Sequence, residues 1–234
     1  MLLVSRMPGG EPELFGSIQG EGASAGVPST FIRLAVCNLQ CSWCDTAYTW
    51  DWKTYDRAEQ TMSVDVEDVL ARVRSLPARN VVITGGEPLI QRRQLIPLVE
   101  ALKEHGYRVE VETNGTIAPG ELARIVDQWN VSPKLVHSGN EGLARLRPEV
   151  LREFGALPDA YFKFVVQQPG DIAELEEVRA LAGVPAERVL VMPEGRTPEE
   201  LECRGRELAD ICAERGYRFT SRLHILLWGD RRGV

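Results

Sequence analysis

With 234 residues, 44% hydrophobic and 26% charged, the chain is long enough to bury a substantial α/β core and has the make-up of an ordinary globular protein. A formal net charge of −7 argues against non-specific attraction to nucleic acid or to an anionic membrane, and no run approaches the roughly 18 apolar residues of a membrane span. The opening MLLV is apolar for four residues only, so no signal peptide is expected, and the clustered cysteines point to a reducing, cytoplasmic setting rather than a disulfide framework.

Apolar and amphipathic runs alternate without a low-complexity linker or a repeat, so one domain is expected over residues 1–234. Phe31-Ile32-Arg33-Leu34 reads as the first strand. Ser63 to Leu76 carries Val66, Val69, Leu70 and Val73 at helical spacing. Val81 to Ile83 follows as strand and Leu95 to His105 as helix, closed by Gly106. Tyr107 to Val111 reads as strand, Pro119 to Gln128 as helix, and Val131 to Val136 as a weak strand broken by Pro133. A short helix near 147–154 leads to the clearest strand, Tyr161 to Val166. Asp171 with Glu174 suggests a capping box for a helix to Ala182, and Val189 to Met192 reads as strand. Thr197-Pro198-Glu199-Glu200 supplies N-cap, N1 proline and N3 glutamate for a last helix ending at Gly216.

Those are about six β/α units, which imply a mostly parallel sheet with right-handed crossovers. A full eight-fold barrel takes about 250 residues, so the expected fold is α/β, an incomplete TIM-like barrel. Polar clusters follow the strands at Cys37, Thr84–Glu87, Glu112–Gly115, Ser132–Lys134 and Gln167–Pro169. In such folds the carboxyl ends of the strands form the ligand-binding rim, so these clusters should converge.

Cys37, Cys41 and Cys44 follow the spacing C-x3-C-x2-C directly after the first strand. A structural zinc site would need a fourth ligand. The next histidine is His105, and Cys203 and Cys212 lie in the last helix. An iron–sulfur cluster is ordinarily held by four cysteines, so three leave one iron open to a substrate or cofactor.

This triplet, with Trp43 before its last cysteine and a downstream strand ending in Gly85-Gly86-Glu87-Pro88, resembles the radical S-adenosylmethionine enzymes. The resemblance implies a 4Fe–4S cluster on the three cysteines, with the open iron chelating the amino and carboxylate groups of S-adenosylmethionine. It also implies an external low-potential electron donor. The glycine pair would let the backbone approach a ligand closely.

Phe15 to Gly22 (FGSIQGEG), Phe31 to Leu34, Cys44-Asp45-Thr46 and Thr84 to Leu89 extend the likeness, which then runs from Phe15 to Trp228-Gly229-Asp230. Over that span the chain is similar to the 7-carboxy-7-deazaguanine synthase family of the queuosine (7-deazapurine) pathway. The similarity implies radical ring contraction of 6-carboxy-5,6,7,8-tetrahydropterin with loss of ammonia, and a homodimer. It implies that Ile18, Gln19 and Gly20 line the pterin pocket, that Arg33 binds the substrate carboxylate or ring, and that Thr84 reaches the substrate. Gly86 would meet S-adenosylmethionine, with Ser132, Pro133 and Lys134 and the segment Gln167, Gln168, Pro169 and Gly170 holding its adenosyl and ribose parts. Thr46 would ligate Mg²⁺ beside the substrate carboxylate, or its hydroxyl caps the following turn. Val234 would present the chain-terminal carboxylate to the substrate, unless Arg231-Arg232 keeps the tail in solvent.

Two other readings compete: a different radical S-adenosylmethionine enzyme such as a glycyl-radical activase, and a non-catalytic iron–sulfur module, which would require a fourth protein ligand. Cys212 shares a helix face with Leu201, Gly205, Leu208 and Ala209 and is expected in the core. His105, His137 and His224 receive no role, and the aromatic stretch Tyr48 to Lys53 suits either shielding of the cluster or a partner surface.

Overall fold

The parallel sheet expected from strand–helix alternation is present, and it does not close. The computed structural model describes residues 1–234. Its strands are β1 (Leu2–Ser5), β2 (Leu14–Ile18), β3 (Pro28–Leu34), β4 (Thr61–Val64), β5 (Asn80–Gly85), β6 (Arg108–Thr113), β7 (Gln128–Val131), β8 (Ala160–Val166), β9 (Val189–Pro193) and β10 (Arg218–Phe219). The order across the sheet is β10-β9-β8-β7-β6-β5-β3-β1-β4, with β2 also paired to β3. Everything from β3 to β10 along this path is parallel, whereas β1, β2 and β4 add antiparallel pairs at one side. The two ends, β4 and β10, do not pair with each other, so the architecture is an open, partial barrel.

Helices α1 (Arg57–Gln60), α2 (Val66–Arg74), α3 (Arg92–Glu104), α4 (Gly142–Arg145), α5 (Pro148–Ala156), α6 (Ile172–Ala182), α7 (Pro198–Arg215) and α8 (Leu223–Trp228) complete the fold. Alternation along the strands divides the sheet's two faces. Ile83, Val111, Trp129, Val131, Phe162 and Phe164 join Leu95, Leu98, Leu151 and Leu175 from the helices in one core cluster of 40 buried residues. The intervening residues Thr84, Glu112, Asn130 and Lys163 line a cavity on the other face. Below that cavity the same face is packed with polar groups. Glu110, paired with Arg108, accepts from Gln128 Nε2 and Asn130 Nδ2, both at 3.0 Å.

Several local expectations need correction. Residues 61–64 form β4, antiparallel to β1, and α2 begins only at Val66, because the alternating Thr61-Met62-Ser63-Val64 finds a partner in the N-terminal Leu2–Ser5. Residues 14–18, the start of the stretch quoted as FGSIQGEG, form β2, whose residues pair with β3 from Leu14↔Ile32 to Ile18↔Pro28. The helix expected over 119–128 shrinks to a 3-10 turn, Gly120–Arg124, where Gly120 has a left-handed φ of 58°. Residues 128–131 are drawn into the sheet instead, as β7, with Trp129 only 1% exposed. Buried Gln128 and Asn130 disguise this strand, and Pro133 lies beyond it on the rim rather than breaking it. The box at the start of α6 is Gln168 with Asp171, whose Oδ2 accepts from the backbone N–H of Gln167 and Gln168 at 2.9 and 3.2 Å. The box at α7 is as expected: Thr197 Oγ1 accepts from Glu200 N at 3.2 Å and Glu200 returns the bond.

The tightest backbone approach joins the end of β3 to the end of β5. A Cβ on Gly86 would sit 2.1 Å from the Val36 carbonyl oxygen, and one on Gly85, at φ 140°, 2.0 Å from that of Leu34. Gly86→Ala is therefore expected to cost on the order of 3 kcal/mol or more. Gly142→Ala, with open space around it and a helical backbone, should be neutral or slightly stabilising. Urea denaturation of the two variants measures the difference.

Candidate active site

A cavity of about 420 Å³ opens at the carboxyl ends of the parallel strands. Strand order alone explains the convergence: Cys37 follows β3, Gly86 follows β5, Asn114 follows β6, Ser132 follows β7 and Glu194 follows β9, and all five line it. Ile18, Gln19, Gly20, Arg33, Cys37, Cys41, Cys44, Thr46, Thr84, Gly86, Ser132, Lys134 and Val234 are brought together on its wall. Pro133 is buried away from it, and Gln167, Gln168, Pro169 and Gly170 stand at the end of β8 outside the lining.

The three thiols belong to a loop held from two sides. Val36, just before Cys37, adopts φ 77°, the single positive φ at a non-glycine residue. That strained residue is fixed by its N–H to Thr49 O at 2.7 Å and by Glu87 N–H donating to its own carbonyl at 2.8 Å. So the backbone approach that demands Gly85-Gly86 is to the protein's own cysteine loop. The carboxylate of Glu87 is fully buried and accepts from Leu89 N, Asn114 N and Thr113 Oγ1 at 3.0, 2.6 and 2.8 Å, tying β5 to β6. From the other side, Ser42 N donates to Ser138 O at 3.0 Å and Gln40 N to Asn140 Oδ1 at 2.8 Å. Trp43 Nε1 donates to His137 Nδ1 at 3.0 Å, and His137 Nε2 in turn meets Val165 O at 3.1 Å. His137 thus has a structural task.

Each sulfur has an N–H donor: Leu39 N to Cys37 at 3.5 Å, Asn140 Nδ2 to Cys41 at 3.3 Å and Trp50 Nε1 to Cys44 at 3.3 Å. Burial pushes the Cys37 thiol up to about 12 and the Cys41 thiol upward, so ligation to iron replaces a proton there. Three thiols on one open cavity wall, each met by a hydrogen-bond donor, suit an iron–sulfur cluster with one iron left for a small ligand. Thr46 does not cap the turn that follows; its hydroxyl lies 3.7 Å from Cys44 Sγ and the residue lines the cavity.

Opposite the cysteines the wall is built from ion pairs that the sequence did not announce. Glu13, fully buried, accepts from Arg33 Nε at 2.8 Å, Tyr48 OH at 3.0 Å and Arg232 at 2.7 Å. Arg232 also lies 3.6 Å above the Tyr48 ring and donates to Arg6 O, so the chain terminus is anchored rather than solvated. Burial alone would depress the Arg33 guanidinium, but Tyr48, Glu13 and Asp45 outweigh it and hold it charged. Glu112 accepts from Gln19 Nε2 at 2.9 Å and from Thr84 Oγ1 at 2.7 Å. Glu21 pairs with Lys163 and with Arg222, whose Nε is 2.9 Å away and whose Nη2 pairs with Asp45 beside the last cysteine. Gly20 lets His224 close in, since a Cβ there would meet its Nδ1 at 2.2 Å. Glu21 and Glu112 lie inside stretches singled out above, and Lys163 is an isolated charge in an otherwise apolar strand. Arg222 and Glu13 carry no sequence signal.

A partial β/α barrel with three cysteines and an open coordination position at its rim defines a radical S-adenosylmethionine enzyme. Residues 32–147 match the model of the radical SAM superfamily. The chain is 41% identical to the 7-carboxy-7-deazaguanine synthase of Pyrobaculum aerophilum, covering 94% of this chain and 95% of that one. It is 42% identical to the 7-carboxy-7-deazaguanine synthase of Halobacterium salinarum, with 93% and 90% covered. The crystal structure of QueE from Escherichia coli superposes with a TM-score of 0.72 at 28% identity, over 95% of this chain and 94% of that one. The chain belongs to the 7-carboxy-7-deazaguanine synthase family.

Burial opposes ionisation of Glu21, yet Lys163, Arg222 and His224 together hold its carboxyl well below the usual range. A carboxylate depressed in the folded state contributes stability that is fully present above its unfolded pKa, about 4.3, and is lost as pH falls toward the native value. Glu21→Gln strands buried Lys163 and leaves Arg222 only Asp45 as its acidic partner, and should cost about 3 kcal/mol at neutral pH. The gap between wild type and variant should stay constant down to about pH 5 and narrow below it. Urea unfolding across pH measures this.

Proposed function

We propose that the protein catalyses radical S-adenosylmethionine-dependent ring contraction of 6-carboxy-5,6,7,8-tetrahydropterin to 7-carboxy-7-deazaguanine with release of ammonia. This is a carbon–nitrogen lyase reaction of queuosine and 7-deazapurine biosynthesis. The observation that carries the reading is that Arg33 and the three thiols line one and the same cavity. The donor set and the open rim fit the cluster and S-adenosylmethionine, which when bound supply hydrogen-atom abstraction at the substrate.

The chain's own residues have defined tasks in this reading. Glu13 occupies Arg33 Nε, and the two terminal guanidinium nitrogens, without a protein hydrogen bond, form a fork for the substrate carboxylate. Gln19 and Thr84, both bonded to Glu112, present amide, hydroxyl and carboxylate groups to the donor–acceptor edge of the pterin, with the backbone of Ile18 and Gly20 beside them. Gly86, Ser132 and Lys134, with Pro133 and Gln167 to Gly170 at the neighbouring strand ends, form the side assigned to S-adenosylmethionine. Thr46, on the cavity wall, would supply one protein oxygen to a Mg²⁺ ion, which would offset the charge of the substrate carboxylate. Val234, held over the cavity by the anchored Arg232, offers its carboxylate to the substrate. An external low-potential donor provides the electron. A cytoplasmic homodimer completes the assignment.

Anaerobically reconstituted protein, given dithionite, S-adenosylmethionine, Mg²⁺ and the carboxylated tetrahydropterin, should form 7-carboxy-7-deazaguanine by mass spectrometry. Cys41→Ala should abolish product, and Arg33→Lys should raise KM at least tenfold by losing a bidentate contact of about 1.5–3 kcal/mol. 5′-Deoxyadenosine without the deazaguanine would retain the superfamily and overturn the substrate; a loaded cluster giving neither would favour the non-catalytic module.

A further inference from the structure

The three sulfurs are met by donors of three different kinds. Cys37 takes the backbone N–H of Leu39, an element of its own loop, at 3.5 Å, with Asn114 Nδ2 farther off at 4.0 Å. Cys41 takes Asn140 Nδ2, but Asn140 also holds the loop through Gln40 N, so its amide cannot be altered without disturbing the backbone. Cys44 takes the indole N–H of Trp50 at 3.3 Å, with the Thr46 hydroxyl farther off at 3.7 Å. Trp50 follows a 3-10 turn, Ala47–Thr49, and its backbone N–H closes that turn on Ala47 O at 3.0 Å. The indole therefore has one polar bond, and it goes to a cluster ligand. Trp43, close by in the same loop, offers the contrast: its indole N–H goes to His137 Nδ1 and not to sulfur.

Hydrogen bonds to ligand sulfurs set the reduction potential of an iron–sulfur cluster. Adding one electron to the cluster, with no proton transferred, increases the negative charge on its thiolates. A fixed N–H donor stabilises that form more than the oxidised one, because charge-assisted bonds strengthen with the acceptor's charge. Partial burial beside the cavity strengthens the effect, since water competes less for the sulfur.

We infer that Trp50 is a tuning residue which raises the cluster's reduction potential through its indole N–H bond to Cys44, easing electron entry from the external donor. The inference rests on the three cysteines holding the 4Fe–4S cluster, and the two ideas fail in different ways. Trp50→Phe keeps an aromatic ring and removes the donor. Wild type, Trp50→Phe and Trp52→Phe would be reconstituted as full-length proteins and titrated with dithionite, following the reduced cluster by electron paramagnetic resonance. Trp50→Phe should move the midpoint to more negative potential, and Trp52→Phe, whose indole makes no bond to sulfur and does not line the cavity, should leave it where it is. The same midpoint in all three proteins, or an equal shift in both variants, overturns the role of Trp50. A second measurement needs no variant: the reduced wild-type cluster should show an exchangeable proton coupling assigned to the indole by isotopically labelled tryptophan in electron–nuclear double resonance. Absence of that coupling also overturns it, even where Trp50→Phe fails to take up iron. Failure of the wild type itself to assemble a cluster overturns the cluster reading.

Discussion

The contact on which the rest of the site depends is the meeting of two backbones at the ends of β3 and β5. Gly86 N–H donates to Leu34 O at 3.1 Å and Glu87 N–H to Val36 O at 2.8 Å, with no room for a side chain between them. That closeness forces Val36 into a left-handed conformation and turns the chain out of the sheet immediately before Cys37. A residue other than glycine at either position would push the cysteine loop off the rim. The strain at Val36 is tolerated because four groups (Thr49, Glu87 and the two glycines) determine its place from different directions.

Once that loop is fixed, charge organises the opposite wall. Three acidic residues, Glu13, Glu21 and Glu112, are each held by donors from segments far apart in sequence: Arg33 and Arg232, Lys163 and Arg222, Gln19 and Thr84. Desolvating such ions costs on the order of several kcal/mol apiece, so these pairs are poor devices for stability. Their effect is geometric. Each carboxylate gives its cation or amide one permitted orientation, and the groups left free point where a small polar ligand can be read. The terminus is recruited in the same way, since Arg232 reaches Glu13 and the Tyr48 ring and brings Val234 to the cavity.

Legibility in the sequence followed a physical division. The strands with apolar residues on both faces, such as Val81 to Ile83 and Tyr161 to Val166, were readable because parallel strands bury both faces. β7 was not, since Gln128 and Asn130 point into the polar interior of the partial barrel and are satisfied by Glu110 across the sheet. β1, β2 and β4 are short and take their conformation from pairing with one another and with β3, which no local window contains. The seventh parallel strand, β10, is two residues long. Helix α7 was legible to the residue at its start because a capping box is a local chemical agreement between Thr197 and Glu200.

By itself the sequence determined the chemistry of the centre: three cysteines at a spacing that leaves a coordination position open, a glycine pair, and an arginine four residues before the first cysteine. These are properties of residue type and spacing, and they needed no fold to be read. Only the tertiary structure decided what surrounds that centre. It brought Asn140 to Cys41 across 99 positions, Trp50 rather than Trp43 to a sulfur, Lys163, Arg222 and Arg232 to the cavity wall, and buried Glu13 to Arg33 and Arg232 behind it. The reason is that side-chain partners at long range are set by strand order and register, and a lone arginine or glutamate carries no local mark of the opposite charge it will meet.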